Sequence, residues 1–471
     1  MIFTDSISKM CNRFLLGNGF CNFLNKIFLT HHIIYFMKKY LLPAVALLFF
    51  SCKENKNNTS ETEVVTKTDT LKLPPPDEKA AKNKFSNVLG WPAGKSPTAP
   101  EGFTVTRFAE NIKSPRNMIQ AANGDIFVVL SNSERTKTEK IKNDISGKSD
   151  AEVGGKSANR IILYRDANKD GVAETSSVFL DNLNQPYGML IIKDQFYVAN
   201  TDGLWVYPYK EGDMKITKPG KKIVNLPAGG YNNHWTRNLI ANKDQSKIYI
   251  SVGSGSNVGE NGMENEVRRA NILEVNPDGS GEKIYAAGLR NPVGMSWNPS
   301  TGELWTVVNE RDELGDELVP DYLTSVKQNK FYGWPYAYFG KNEDPRRKGE
   351  KPDLVAKTIV PDVPLGSHTA SLGLSFYTGN QFPEKYKNGA FIGQHGSWNR
   401  SSLVGYQVAF VPFKSGKAAG SYQPFLTGFI ANEEKGDVYG RPVGVLQIAD
   451  GSLLVADDVS GIVWRVAYNK K

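Results

Sequence analysis

From Gly102 onward, short apolar runs rich in Val, Ile, Tyr and Trp alternate with turns of Gly, Asp, Asn and Pro. Runs of that length bounded by turn formers predict β-strands, and no useful stretch carries the 3.6-residue period of an amphipathic helix. One phrase recurs: a polar or proline-containing opening, a small or apolar pair, an Asp- or Gly-bearing turn, and a second strand. It is read at 114–130 (SPRNMIQAANGDIFVVL), 185–200, 234–253, 290–308 (RNPVGMSWNPSTGELWTVV), 368–396 and 441–458 (RPVGVLQIADGSLLVADD). Six copies between 101 and 471 leave room for four strands each, which predicts an all-β fold, a six-bladed β-propeller. GFTVTRFA (102–109) is a lone strand before the first copy and IVWRVAY (462–468) closes the chain. Pairing these two would complete the last blade and remove an exposed sheet edge. A pair of β-sandwiches is the rival architecture, but it gives no reason for the same phrase to return six times.

Composition narrows the function. The chain has 44 Gly, 25 Pro and 43 Phe plus Tyr in 471 residues, in keeping with a turn-rich β protein. Its three cysteines, Cys11, Cys21 and Cys52, all precede the body, so neither disulfides nor thiolate metal sites are expected there. The net charge of +8 is uneven, because Lys9, Arg13, Lys26, Lys38 and Lys39 face only Asp5 before residue 52. The rest of the excess is spread among acids over the whole body, which argues against nucleic acid as a partner.

The text from Met37, MKKYLLPAVALLFFSC, places two lysines, an apolar run and a small residue ahead of Cys52. It looks like a bacterial lipoprotein signal, with cleavage before Cys52 and lipid on that cysteine. An uncleaved membrane anchor is the alternative, against which His31, His32, Lys38 and Lys39 interrupt the apolar stretch. The expected organisation is therefore an upstream extension at 1–36, a signal peptide at 37–51, a flexible polar tether at 52–100 and the propeller at 101–471. A lipid anchor would hold the body on the periplasmic side of a bacterial membrane or at the cell surface.

Polar residues at equivalent blade openings converge at one mouth of a propeller channel although they are far apart in sequence. The body holds three histidines, His234, His368 and His395, with Arg290, Asn291, Arg400 and Arg441 at similar phases. A largely cationic cavity with uncharged histidines suits an anionic or oxygen-rich ligand. His234, in YNNHWTRN, is the general-base candidate, since a neutral imidazole accepts a hydroxyl proton where arginine cannot. Asp312, Glu313, Asp316 and Glu317 are the densest acidic cluster near a channel opening, read either as a solvated loop or as a calcium site. DANKDGVAET (166–175) begins like a calcium loop but has Ser177 at the twelfth place, so it reads mainly as a turn with weak calcium affinity.

Several motifs then resemble the sorbosone dehydrogenase group of soluble quinoprotein sugar dehydrogenases. They are NNHWTRN (232–238), RNPVGMSWNPSTGELW (290–305), VNERDELGDELVPDY (308–322), FYGWPY (331–336), HTASLGLSFY (368–377), GQHGSWNRS (393–401) and YGRPVGV (439–445). The resemblance implies a six-bladed propeller that holds pyrroloquinoline quinone (PQQ) and calcium and oxidises an aldose or sugar aldehyde. By it, His234 falls on the proton-removing histidine, Arg290 near the reacting quinone oxygen and Asn291 beside the cofactor. Thr369 and Arg441 fall at the PQQ carboxylates, Asn399 and Arg400 in a segment supplying another cationic contact, and the carbonyls of Arg311 and Asp312 at calcium. The glucose-oxidising branch has Gly-Pro in place of Arg311 and Asp312, and an arginine in place of Val443. The chain has no haem-attachment motif, so electrons are expected to leave to an external acceptor.

Two other classes fit a propeller. A cell-surface binding module would not require base, arginine and acidic loop together, and a calcium-dependent lactonase or esterase would centre Asp, Asn and Glu side chains on the metal.

Overall fold

Five runs of alternating bulk, IFVVL (Ile126–Leu130), IYISV (Ile248–Val252), LWTVV (Leu304–Val308), AFIGQ (Ala390–Gln394) and LLVAD (Leu453–Asp457), are buried along their whole length. A strand covered on both faces must lie inside a sheet that is itself packed between sheets. The computed structural model, which describes residues 71–80, 82–134 and 156–469, shows that arrangement. Among the described residues there are six four-stranded antiparallel sheets, and the only α-helix is the single turn Pro352–Val355.

Each sheet opens with a strand that begins one of the recurring phrases: Pro115–Gln120, Gly188–Ile192, Leu239–Ala241, Pro292–Trp297, Ser371–Phe376 and Pro442–Gln447. These six strands touch their neighbours in cyclic order, and Pro442–Gln447 lies against Pro115–Gln120. The apolar clusters follow the same order. Phe127 and Phe196 join the first two sheets, Trp305 and Ile392 the fourth and fifth, Phe391 and Trp464 the fifth and sixth, and Ile126 and Val463 the sixth and first. Each sheet thus buries both faces against the next, and the stabilisation is shared around the circle.

The strand Phe103–Ala109 pairs antiparallel with the last strand, Ile462–Tyr468, as the sequence pattern predicts, from Phe103 opposite Tyr468 to Ala109 opposite Val463. The sixth sheet therefore contains both ends of the body, and Phe103–Ala109 covers the edge that Ile462–Tyr468 would otherwise leave open.

The flexible tether expected at 52–100 needs correction from residue 71 on. Asn87–Val88 forms a parallel pair with Asp437–Val438, and Thr98 bridges to Thr427. Trp91 packs edge-on against Phe429 and Trp464 and donates from Nε1 to Asp457 Oδ2 at 2.8 Å. Leu71 and Leu73 rest on the cluster between the third and fourth sheets. The polar composition conceals a few large apolar side chains that are enough to fix the segment. The upstream extension, the signal peptide and Cys52 lie outside the described residues.

Candidate active site

The openings of the first strands and the ends of the second strands meet at one mouth of the circle of sheets. Arg290 and Asn291 precede Pro292, Arg441 precedes Pro442, and Arg116 stands in Pro115–Gln120. Ser254, Asn309, His395 and Asp458 follow second strands. Several of these residues line one cavity of about 310 Å³, together with His234, Asn257, Asp312, Phe85 and Trp398.

His234 is 9% exposed, and its Nδ1 lies 2.9 Å from both the carbonyl and the Oγ of Ser254. A carbonyl only accepts, so Nδ1 carries the hydrogen and Nε2 keeps a lone pair. Burial first, and then the charge of Arg290, hold the imidazole well below its ordinary value of 6.5, so the ring is neutral at pH 7. The hydroxyl of Ser254 in turn donates to the carbonyl of Ser256 at 2.7 Å, which fixes the acceptor side of this contact.

Arg290 is locked from behind. Its Nη2 reaches Asn257 Oδ1 at 2.8 Å and Asp312 Oδ2 at 3.1 Å, and its other nitrogens donate to the carbonyls of Asn257, Asn309 and Glu310. Asp312 is also 3.4 Å from His368 Nδ1, while His368 Nε2 meets the carbonyl of Gly315 at 2.9 Å. Burial pushes the Asp312 carboxyl up, but His368 and Arg290 more than offset it and bring it down to about 2. The reciprocal effect appears in His368, which burial depresses and Asp312 raises, with a net rise above 6.5.

Two further arginines, Arg116 and Arg441, and a further histidine, His395, also line the cavity. His395 Nε2 lies 2.9 Å from Asp458 Oδ1, and Arg116 Nη1 lies 3.2 Å from the other oxygen, with every partner buried. Burial and the neighbouring Arg441 pull His395 down to about 4, so it is a neutral donor to an ionised Asp458. Arg441 donates from Nε and Nη2 to the carbonyls of His395 and Gly396, both at 2.8 Å.

The structure brings His234, Arg290, Asn291, Asp312 and Arg441 to the cavity. Four other expected residues lie around it without lining it. The hydroxyl of Thr369 donates to Asp321 Oδ2 at 3.0 Å and is buried beneath the wall. Asn399 accepts from the amide of Glu313 at 2.8 Å and donates to Asn83 Oδ1, which positions the acidic loop against the N-terminal segment. Arg400 is tied to Glu317 at 2.5 Å. Arg311 turns its side chain into a buried ion pair with Asp344 at 3.0 Å. Val443, where the resemblance expects an arginine, is fully buried.

Residues that the sequence reading passed over include Arg116, Asn257, Trp235 and Asp458. Arg116 carried a usable signal, since it follows the opening proline of the first copy of the phrase, where the fourth and sixth copies have Val293 and Val443. Asn257 lies in an insertion without a repeat partner, and nothing in its surroundings marks it.

The chain matches the TrAA12-like family profile over residues 97–469. It belongs to the TrAA12-like family. An uncharacterised protein of Borreliella burgdorferi is 30% identical over 382 residues, covering 79% of this chain and 90% of that protein. A pyrroloquinoline quinone-dependent pyranose dehydrogenase of Coprinopsis cinerea is 24% identical over 365 residues, covering 64% of this chain and 48% of that longer protein. The solved PQQ domain of the pyranose dehydrogenase from Coprinopsis cinerea superposes with a TM-score of 0.63 at 20% identity, over 81% of this chain and all of that domain. At that identity the likeness establishes the shared fold of this TrAA12-like chain.

The donor set suits a planar, multiply carboxylated quinone. Arg116 Nε and Asn291 Oδ1 are buried polar atoms without a hydrogen-bond partner in the protein, and the walls around them are cationic. Gly253 keeps the passage open, because a Cβ there would come within 2.5 Å of Asn291 Oδ1 and 2.6 Å of His234 Cβ. A calcium ion is less well provided for. The carbonyls of Asn309 and Glu310 accept from Arg290, and that of Asp312 accepts from Asn257 Nδ2 at 3.2 Å.

Proposed function

We propose that this chain is a PQQ-dependent dehydrogenase that oxidises an aldose or a sorbosone-like sugar aldehyde, built as a six-bladed β-propeller whose blades are the six sheets. The observation that carries the reading is a neutral, buried His234 with its Nε2 lone pair available in a cavity shared with Arg290, Asn291 and Arg441. The TrAA12-like membership and the PQQ-dependent pyranose dehydrogenase among its relatives support it.

His234 Nε2 takes the proton of the anomeric hydroxyl, so that a C=O bond forms as the C–H bond breaks. Bound PQQ would supply the two-electron acceptor for the hydride released from that carbon. Arg116 and Arg441 would hold the carboxylates of the quinone, and Asn291 would donate or accept at its edge. Arg290, fixed by loop carbonyls and Asp312, places positive charge next to His234 and keeps the imidazole unprotonated, which is the state a base requires. Ser254 fixes the tautomer.

Calcium enters the proposal through the resemblance, at the carbonyls of Arg311 and Asp312, where it has to displace Asn257 Nδ2. Lipid on Cys52 would anchor the protein at the periplasmic side of a membrane or at the cell surface, with electrons passing to an external acceptor.

The test is aldose-dependent reduction of an artificial acceptor dye by the purified protein, with and without PQQ and calcium. The expected result is activity that requires PQQ, and its loss in His234→Ala with PQQ binding retained in calorimetry. Absence of PQQ binding would remove the reading, and turnover retained in His234→Ala would remove the histidine from its role.

A further inference from the structure

The family match begins at residue 97, yet one side chain lining the cavity comes from before it. Phe85 reaches the cavity from the segment that was expected to be a loose tether. It stacks on the ring of Trp398, with centroids 6.0 Å apart and planes 4° from parallel. Both rings are half-buried and line the same cavity as His234 and Asp312.

The position of Phe85 is built on both sides. The amide of Lys84 donates to the carbonyl of Trp398 at 2.9 Å, and the amide of Asn87 donates to the carbonyl of Gly436 at 2.8 Å where the short parallel pairing begins. Asn83 receives a hydrogen bond from Asn399 at 2.8 Å. Three anchors, at Asn83, Lys84 and Asn87, thus fix the backbone on both sides of one partly exposed aromatic ring.

We infer that Phe85 and Trp398 form an aromatic wall of the sugar subsite and set its specificity toward six-membered sugar rings. The inference rests on the proposed sugar oxidation. A pyranose has an apolar face of C–H bonds and a rim of hydroxyls, so it matches a cavity lined both by flat aromatic rings and by the polar groups of His234 and Asp312. Arg116 and Arg441 suit the carboxylates of the cofactor, whereas Phe85 and Trp398 carry no charge and suit the C–H face of a sugar. Phe85 is thereby a specificity-determining residue contributed by this chain from outside the family-matched region.

The experiment uses the full chain and a panel of aldopyranoses headed by D-glucose and D-galactose, with PQQ affinity measured in parallel. For the most rapidly oxidised sugar, Phe85→Ala should raise KM about five- to tenfold with kcat within twofold, and Phe85→Tyr should restore KM. Saturation-transfer NMR on the same sugar, with protein lacking PQQ so that no turnover occurs, should show magnetisation reaching the ring C–H protons in wild type and Phe85→Tyr and much less in Phe85→Ala. An unchanged KM and an unchanged transfer signal in a folded Phe85→Ala would overturn the inference. Weakened PQQ binding with KM unchanged would also overturn it, by giving the ring to the cofactor. If Phe85→Ala fails to fold, Phe85→Leu takes its place under the same criteria. A wild type that transfers magnetisation to the sugar through Phe85 but neither binds PQQ nor oxidises the sugar would keep the subsite and remove the oxidative reading.

Discussion

Asp312 and Arg290 form an ion pair 3.1 Å across in which the arginine is 1% exposed and the acid 17%. The other oxygen of the same carboxylate faces His368, so one acid ties the cation beside the proposed base to a second element of the wall.

Replacing Asp312 with Asn should cost about 3–5 kcal/mol, because it leaves a buried guanidinium without its counter-charge. The loss should depend on pH. The folded value for His368 is raised, so its contribution is complete below 6.5 and disappears as pH rises through that raised value. Asp312 is lowered from 3.8 to about 2, so its contribution is complete above 3.8 and disappears as pH falls toward 2. The melting temperature of wild type should therefore exceed that of Asp312→Asn most between about pH 4 and 6.5, narrow on the alkaline side by the His368 contribution alone while the Arg290 pair persists, and converge only as pH falls toward 2.

The acid limb of kcat/KM for sugar oxidation should lie well below pH 6.5, since burial and Arg290 both disfavour the charged form of His234. A pH profile of dye reduction checks this, and a limb at or above 6.5 would show that the histidine is not held as its surroundings require.

Gly253→Ala should damage the site more than the fold. The added methyl would meet Asn291 Oδ1 at 2.5 Å and His234 Cβ at 2.6 Å, so one or both must shift. Overpacking of this kind costs about 1–3 kcal/mol. A displacement of the base near the reacting carbon is expected to lower kcat by tenfold or more, and steady-state kinetics beside thermal melts separate the two effects.

Trp91→Ala should destabilise the body by about 2 kcal/mol, less than a fully buried tryptophan would, through lost ring packing and the lost bond to Asp457. A chain beginning at Glu101 should melt at a lower temperature than one beginning at Leu71, which denaturation of the two forms would measure.

The repeating phrase made the sheets legible because four of the opening strands pair a glycine with an apolar neighbour, as in Gly188–Met189, Gly294–Met295, Gly373–Leu374 and Gly444–Val445, which fits a strand pressed against its neighbours. Trp91 and Phe85 were not legible, since single aromatics in a polar, proline-bearing stretch have no periodicity to reveal what they pack against. The site divides in the same way. His234, Arg290 and Arg441 follow from their place just before the opening strands, whereas Thr369 has a similar place yet bonds to Asp321, and Arg400 lies in the loop after a second strand and bonds to Glu317. A position in the repeat therefore places a residue near the mouth, but the direction of its side chain depends on acids contributed by irregular loops.

The pairing of Phe103–Ala109 with Ile462–Tyr468 also orders events in time. The first of these strands is made before the first five sheets and the other after all of them, so the sixth sheet stays incomplete until the rest of the body is present. Until then, the cluster that joins Ile126 to Val463 lacks one of its sides. Contacts between such distant parts of a chain form slowly, so a nascent or C-terminally shortened body is an open arc with an uncovered edge at each end. Removal of the strand Ile462–Tyr468 should therefore impair the closure of the entire circle, and these two strands act as its clasp.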